Sequence, residues 1–149
     1  MSYIENNLIN DESIIQKTKP HWVLFLGPAI TITLGLLIHS SVGNFLAFIG
    51  LLYAIRGFIW YTTSEFGITN KRVVAKFGFI KRISLEIMLS KVEGISVDQS
   101  IWGRLMGYGT IRINGMGGTR EPIPYIPNPL QFRRILQEII DEIDKSIIA

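Results

Sequence analysis

Two long apolar runs, separated by a short polar turn, constrain the fold of this chain more than any other feature. Trp22 to Ile38 carries no formal charge, and Phe45 to Tyr61 carries only Arg56. At about 1.5 Å per helical residue, each run of about 17 residues nearly spans the hydrocarbon core of a bilayer. Trp and Tyr at the ends of the runs suit the headgroup region. The pattern therefore predicts a two-helix transmembrane hairpin over residues 22–61.

A pair of buried core helices in a soluble protein is the alternative to this hairpin. It is disfavoured because the remainder of the chain could hardly cover two helices that are apolar all round. The 149 residues then divide into an N-terminal tail (1–21), the hairpin (22–61) and one further domain (62–149). About 88 residues suffice for one small core but not for two. The tail is expected to be a short amphipathic interfacial helix or a frayed segment.

The distribution of basic residues predicts how the hairpin is oriented. The turn at residues 39–44 has no Lys or Arg, whereas Lys17 and Lys19 precede the first run and further basic residues follow the second from Lys71 onward. The positive-inside bias then places both termini in the cytoplasm of a bacterium, with a multi-pass protein in the inner membrane. Residues 62–127 carry nine basic against five acidic residues. This excess fits ordinary solubility charge or attraction to an anionic leaflet.

Arg56 is the only ionisable residue inside either apolar run. An intramembrane charge is a functional candidate by default. Because Arg56 lies only five residues before Tyr61, its long side chain could instead snorkel to the lipid phosphates. Two interpretations therefore stay open: an interfacial anchor, which is favoured, or part of a substrate or proton path.

After Thr62 the hydrophobic period changes from that of a helix to that of a strand. Alternation and turn signals predict six strands, at residues 65–69, 72–79, 82–88, 92–99, 108–114 and 121–126. Pro122 and Pro124 cannot donate to a strand ladder, so the last strand should lie at a sheet edge. From Phe132 to Ile147 apolar residues recur at helical spacing, which predicts an amphipathic C-terminal helix packed on the sheet.

Several short motifs between Glu65 and Ile140 together resemble the bacterial PH-like domain family. They are GITNKRVV at 67–74, Gly78 with Arg82, ISVDQS at 95–100, GRLMGYGTI at 103–111 and IPNP at 126–129 with Phe132. The resemblance implies a membrane α-hairpin followed by a mostly-β, α+β PH-like domain. That domain would have two packed antiparallel sheets of about seven strands, closed at one end by the C-terminal helix.

Basic residues near two predicted turns are candidate contacts to lipid phosphates: Lys71, Arg72, Lys81 and Arg82. In eukaryotic PH domains, basic residues near the first hairpin bind phosphoinositide headgroups, and the resemblance implies a similar use here. Each such contact would be worth about 1 kcal/mol near an anionic surface. The alternative is a pair of solvated turns.

An apolar cluster with one charge lies between two predicted strands and is a candidate partner-contact loop. It contains Trp102, Arg104 and Leu105. The loop either folds back as a core plug, which is favoured, or forms an exposed anchor for a partner or a membrane.

Catalysis is not predicted. Cysteine is absent, and the two histidines, His21 and His39, fall on opposite sides of the membrane in this topology. No catalytic set, metal cluster or cofactor site can be assembled with histidine in the cytoplasmic part, and no small-molecule substrate is identified. Nucleic acid is not an expected partner, because the basic excess is modest and lacks an arginine-rich stripe.

Three functional hypotheses remain. The first is a non-enzymatic scaffold that binds a protein partner or self-associates at the membrane. The second is an anionic-lipid sensor that uses the basic turns. The third is a small subunit of a membrane transport or enzyme complex that uses Arg56. The sequence identifies neither the partner, the lipid nor the oligomeric state.

Overall fold

The computed structural model describes residues 3–78, 83–116, 118 and 122–148. In chain order the elements are α1 (Tyr3–Asn6), β1 (Ile14–Thr18), a 3₁₀ turn (Trp22–Phe25), α2 (Leu26–Leu37), α3 (Ser41–Thr63), β2 (Glu65–Thr69), β3 (Arg72–Phe77), β4 (Ile83–Met88), a 3₁₀ turn (Leu89–Lys91), β5 (Val92–Asp98), α4 (Ile101–Met106), β6 (Tyr108–Gly115), β7 (Pro122–Pro127) and α5 (Pro129–Ile148).

Seven strands form two antiparallel sheets, ordered β1-β2-β3-β4 and β5-β6-β7. With α5 packed against β5 and β6, this arrangement agrees with the PH-like fold that the resemblance implied. The six strands predicted from local patterns are confirmed, with ends that agree within two residues over the described part of the chain. Strand β7, which contains Pro122 and Pro124, is an edge strand as predicted. The register shift between Val92 and Gly94 is the irregularity expected of a glycine in a strand.

One hydrophobic core joins the two sheets and α5. Its buried members from the first sheet and the following turn are Phe66, Ile68, Val73, Ala75, Leu85, Ile87 and Leu89. Those from the second sheet and α5 are Ile111, Ile113, Ile123, Ile126, Phe132, Leu136 and Ile139. These positions follow the strand alternation and the apolar stripe of the helix, so the hydrophobic pattern alone identifies most of the core.

The N-terminal segment differs from both forms expected of it. Residues 14–18 are neither an interfacial helix nor a frayed end, but the strand β1, which pairs with β2 from Ile14↔Thr69 to Thr18↔Phe66. The four-residue helix α1 lies over β2, where Ile4 is buried. Local pattern could not reveal this strand, because its half-buried face is Ile14, Gln16 and Thr18 rather than a row of apolar residues. The chain before the hairpin thus belongs to the same sheet as the chain after it.

The two apolar runs form neighbouring helices that approach closely at small residues. A Cβ added to Gly35 would lie 2.5 Å from the backbone nitrogen of Ala47, and one added to Gly50 would lie 2.9 Å from that of Ile32. Glycine is therefore needed at these crossings, because only a residue without a Cβ lets the two helices approach so closely. The turn between the helices is shorter than expected, because α3 begins at Ser41 and is capped by the Ser40 hydroxyl.

In the described part of the chain, α3 alone is long and apolar enough to cross a membrane, judged by length and composition. The neighbouring apolar segment, Trp22–Leu37, is shorter. Most large side chains of both helices face outward: Leu37, Phe45 and Phe58 are 67%, 65% and 61% exposed. This exposure differs from that of the core helices of a soluble protein, which bury their apolar side chains.

Candidate functional site

The segment around Trp102 is the short helix α4, which connects β5 to β6. The hydroxyl of Ser100 accepts a hydrogen bond from the Gly103 amide at 3.1 Å and caps its first turn. Gly107, with φ of 78°, ends the helix in the left-handed conformation that glycine favours. Gly103 is buried. A Cβ at this position would lie 2.6 Å from the carbonyl oxygen of Tyr108, so a larger residue would not fit. The helix therefore sits on the sheet through its glycine face.

The opposite face of α4 is an exposed apolar surface. Ile101, Trp102 and Leu105 are 86%, 66% and 77% exposed, and Arg104 is exposed beside them. We call these four residues the α4 patch. The favoured expectation of a core plug is wrong, because the buried Gly103 already makes the contact with the sheet and leaves the large side chains outside. Large apolar residues that remain exposed together are typical of a contact surface.

Aromatic side chains connect the hairpin to the sheets. Trp60, near the end of α3, lies 5.8 Å from Tyr125 and 6.5 Å from Phe77, measured between ring centroids. The ring of His21, before the first 3₁₀ turn, lies 5.6 Å from that of Tyr108. We call His21, Trp60, Phe77, Tyr108 and Tyr125 the basal aromatic cluster. The side chain of Gln99 donates to the carbonyls of Gly103 and Tyr108, which places α4 beside this cluster.

The backbone at Tyr125 is strained to make this connection. Its φ is 57°, in a left-handed region that an aromatic residue rarely adopts. Its carbonyl accepts a hydrogen bond from the His21 amide at 2.7 Å, and its ring contacts Trp60. Burial lowers the pKa of His21, which favours the neutral ring. Its Nδ1 accepts a hydrogen bond from the Val23 amide and so caps the 3₁₀ turn at Trp22–Phe25. Such strain persists only where the surroundings determine the conformation.

A groove of about 500 Å³ opens between α2 and α3 beside the basal aromatic cluster. Its walls include Gly27, Tyr53, Trp60 and Tyr125, and Arg56 lies in it as an exposed side chain. Among the residues described, no side chain or carbonyl pairs with Arg56. The groove therefore combines apolar and aromatic walls with one unpaired cation.

The turn between β2 and β3 holds the N-terminal segment in place. The Arg72 guanidinium donates to both carboxylate oxygens of Glu12, at 2.9 and 3.1 Å, and to the carbonyl of Asn7 at 2.6 Å. The Thr69 hydroxyl donates to Glu12 at 2.7 Å. Asn70 exchanges hydrogen bonds with the backbone of Ser13. We call Glu12, Thr69, Asn70 and Arg72 the N-terminal clasp.

Interactions within the N-terminal clasp favour the ionised forms of both Glu12 and Arg72. Burial would raise the pKa of Glu12, but hydrogen bonds from Arg72, the Ile9 amide and Thr69 outweigh that effect and hold it below its ordinary value of 4.5. The bonds to Glu12 raise the pKa of Arg72. A further ion pair joins Arg72 to Glu86. Four of the five N–H donors of the guanidinium are thus used within the protein.

Two of the four predicted lipid contacts, Lys71 and Arg72, lie in the described part of the chain. Lys71 is exposed and its ammonium group donates to the carbonyl of Asn10. Both Lys71 and Arg72 lie at the end of β2 that is farther from α3, about 16 Å along the strand. Lys81 and Arg82 lie outside the described residues. Lipid binding by these four residues stays a prediction.

Sequence reasoning missed two structural features near the candidate sites, for different reasons. The partner of Arg72 is Glu12, which lies on the other side of the hairpin, so no local pattern joins the two residues. Tyr125 was noted only as part of an edge strand, because nothing in a sequence announces a positive φ at tyrosine. The signal available in the sequence for the clasp was the Thr-Asn-x-Arg motif at 69–72, which places three hydrogen-bonding side chains in one short turn. In the described residues no three His, Asp or Glu side chains are grouped to hold a metal ion.

Comparison with known proteins identifies the family. A family model described as a bacterial PH domain matches residues 23–140. The match covers most of the chain, and it includes both apolar helices, strands β2 to β7 and more than half of α5. Neither a curated protein nor a solved structure matches the chain. The two sheets, the closing helix and this match lead to one conclusion: the chain belongs to the bacterial PH domain family.

Proposed function

We propose that this chain is a membrane-anchored, non-enzymatic scaffold, whose PH-like domain binds a protein partner through the α4 patch. PH domains are generally binding modules rather than catalysts, which supports a role in recognition. The hairpin at residues 22–61 would hold the domain at the inner membrane, with both termini in the cytoplasm. The cytoplasmic domain would consist of residues 62–149 together with β1 from the N-terminal tail.

Strand pairing supports two membrane crossings rather than one. Strand β1 ends just before the hairpin, β2 begins just after it, and the two are hydrogen-bonded neighbours. A bilayer cannot lie between paired strands, so the intervening segment must leave and return on the same side. Helix α3, with 23 residues, is about 35 Å long and can cross once. The segment Trp22–Leu37, about 24 Å long, would provide the other crossing with local adjustment of the bilayer.

The observation that carries the scaffold proposal is the exposure of the α4 patch. Trp and Arg are enriched at protein interfaces and supply much of their binding energy, and here they stand between two exposed aliphatic side chains. Membrane-surface helices usually carry several Lys or Arg residues on a polar face. Helix α4 has six residues and one basic side chain, Arg104. A protein surface therefore suits it better than lipid.

Site-specific photo-crosslinking in native membranes tests this proposal. A photoreactive residue replaces Trp102 in the full chain, and the matched control places it at Met116, which is equally exposed at 66% but lies at the other end of β6. We expect discrete protein adducts from position 102 that are absent from position 116. Trp102→Ala combined with Leu105→Ala should reduce the size of the complex on native gels. Adducts to lipid alone at position 102, or equal protein adducts at both positions, would overturn the proposal.

A further inference from the structure

We propose that the groove between α2 and α3 is a binding site for one anionic phospholipid, whose phosphate pairs with Arg56. This inference rests on the membrane placement of the hairpin in the proposed function, but not on the protein partner. It assigns a ligand to Arg56, a charge with which none of the described residues pairs.

The groove is built on one face of α3. Residues Tyr53, Arg56, Gly57 and Trp60 recur at helical spacing and line the same wall. Gly27 and Gly57 keep the groove open: a Cβ at Gly27 would meet nothing within 4 Å, and one at Gly57 nothing closer than 3.9 Å. This spacing contrasts with Gly35 and Gly50, where the two helices touch. The helices therefore meet tightly in one part of the hairpin and separate near its base.

Charge determines which ligand fits. An unpaired guanidinium is costly at the centre of the hydrocarbon region and less costly as it nears the interface. Arg56 lies about 7.5 Å from Tyr61 along the helix, which puts its side chain within reach of the phosphates. A phosphate satisfies the planar guanidinium with two parallel hydrogen bonds. None of the described residues that line the groove is acidic, so an anion meets no repulsion there.

The walls favour a lipid over a free phosphate ion. Leu24, Pro28 and Ile49 continue the groove into the apolar part of the hairpin, where an acyl chain would be covered. Trp60 and Tyr125 stand at its cytoplasmic end, the depth at which amphipathic aromatic rings sit in membranes. Soluble anions would gain the contact with Arg56 but bury no apolar surface. An anionic phospholipid gains both.

Lipid retention by the full-length protein tests the assignment. The protein is reconstituted in nanodiscs of mixed phosphatidylglycerol and phosphatidylcholine, released into detergent and examined by native mass spectrometry. We expect the wild type to retain one phosphatidylglycerol in preference to phosphatidylcholine. Arg56→Gln should reduce that preference about tenfold, the loss that corresponds to about 1.4 kcal/mol. Lys145→Gln removes one positive charge from the exposed end of α5 and should leave the preference unchanged.

A second variant tests the cavity independently of the charge. Gly27→Leu keeps Arg56 but fills open space in the groove, and it should also reduce phosphatidylglycerol retention. Equal preference in the wild type and Arg56→Gln, unchanged retention in Gly27→Leu, or displacement of the lipid by millimolar inorganic phosphate would overturn the assignment. Failure of the hairpin itself has a different signature: the wild type would be extracted from membranes by alkaline carbonate. Insertion that resists carbonate, combined with no headgroup preference, refutes the lipid site alone.

Discussion

Replacing Arg72 with leucine should destabilise the fold more than the loss of any single surface charge. The side chain of Glu12 has no exposed surface, and that of Arg72 is only 12% exposed. In Arg72→Leu the buried carboxylate keeps, among the residues that the structure describes, the Thr69 hydroxyl and the Ile9 amide as partners. Breaking a buried ion pair from one side costs about 3–5 kcal/mol, and the partly exposed pair with Glu86 adds at most about 1 kcal/mol. We therefore expect the free energy of unfolding to fall by about 3–6 kcal/mol in total.

A double-mutant cycle separates the ion pair from other effects of the substitution. Glu12→Gln replaces the carboxylate with a neutral amide of similar shape, so Arg72→Leu should cost less in that background than in the wild type. The difference should be about 0.5–3 kcal/mol, the range for directly interacting residues. Arg134→Leu is the control, because its pair with Glu138 is 80% and 60% exposed and should contribute only about 0.3–0.5 kcal/mol.

Two measurements on the full chain in detergent micelles check this prediction. Denaturant unfolding followed by far-ultraviolet circular dichroism gives the free energies, and limited trypsin digestion reports whether β1 has detached. In Arg72→Leu, cleavage after Lys17 should become faster than in the control, because that site lies in β1. A loss below about 1 kcal/mol, together with unchanged cleavage, would refute the view that the clasp holds the N-terminal segment.

Three further results are expected from the same protein. Because the folded pKa of Glu12 is below 4.5, its stabilisation is present above that pH and lost as the pH falls through the folded value, so acid should lower the melting temperature less in Glu12→Gln than in the wild type. Gly50→Ala should cost about 1–3 kcal/mol, since the added Cβ lies 2.9 Å from a backbone nitrogen of α2, whereas Gly57→Ala should be nearly neutral; thermal unfolding in micelles distinguishes them. Phe132→Ala should lower the free energy of unfolding by about 3–5 kcal/mol in denaturant titrations, and Leu130→Ala, at a 62% exposed position, should lower it by less than about 1 kcal/mol.

The part of the fold that depends on local pattern could be predicted from the sequence. Strands β2 to β7 follow alternation and turn residues, and α5 follows its apolar stripe, so their positions needed no knowledge of the tertiary structure. Strand β1 could not be found this way, because the strand with which it pairs, β2, lies beyond both apolar helices. The same distance hid the ion pair between Glu12 and Arg72.

The sequence predicted where the α4 patch lies in the chain, but not whether its side chains are exposed. Trp102, Arg104 and Leu105 were identified as an apolar cluster between strands, yet composition could not decide whether they face inward. Their exposure depends on Gly103. Because it has no side chain, the helix packs on the sheet at this residue and the larger side chains face outward. The position of Arg56 near the end of the second apolar run could be predicted, whereas the groove beside it arises from glycines on two separate helices.

The pairing of β1 with β2 has a consequence for how the chain is made. Ile14 pairs with Thr69, so β1 leaves the ribosome well before its partner; at 5–20 residues per second the interval is about 3–11 s. A free chain would then have to close a long loop, at an entropic cost that grows with loop length. In the proposed topology, insertion of the hairpin would bring the two loop ends together first, because both would emerge at the same face of the bilayer. In this way the membrane would act as a folding template for the sheet, and a hairpin that inserts slowly would delay the sheet by the same time.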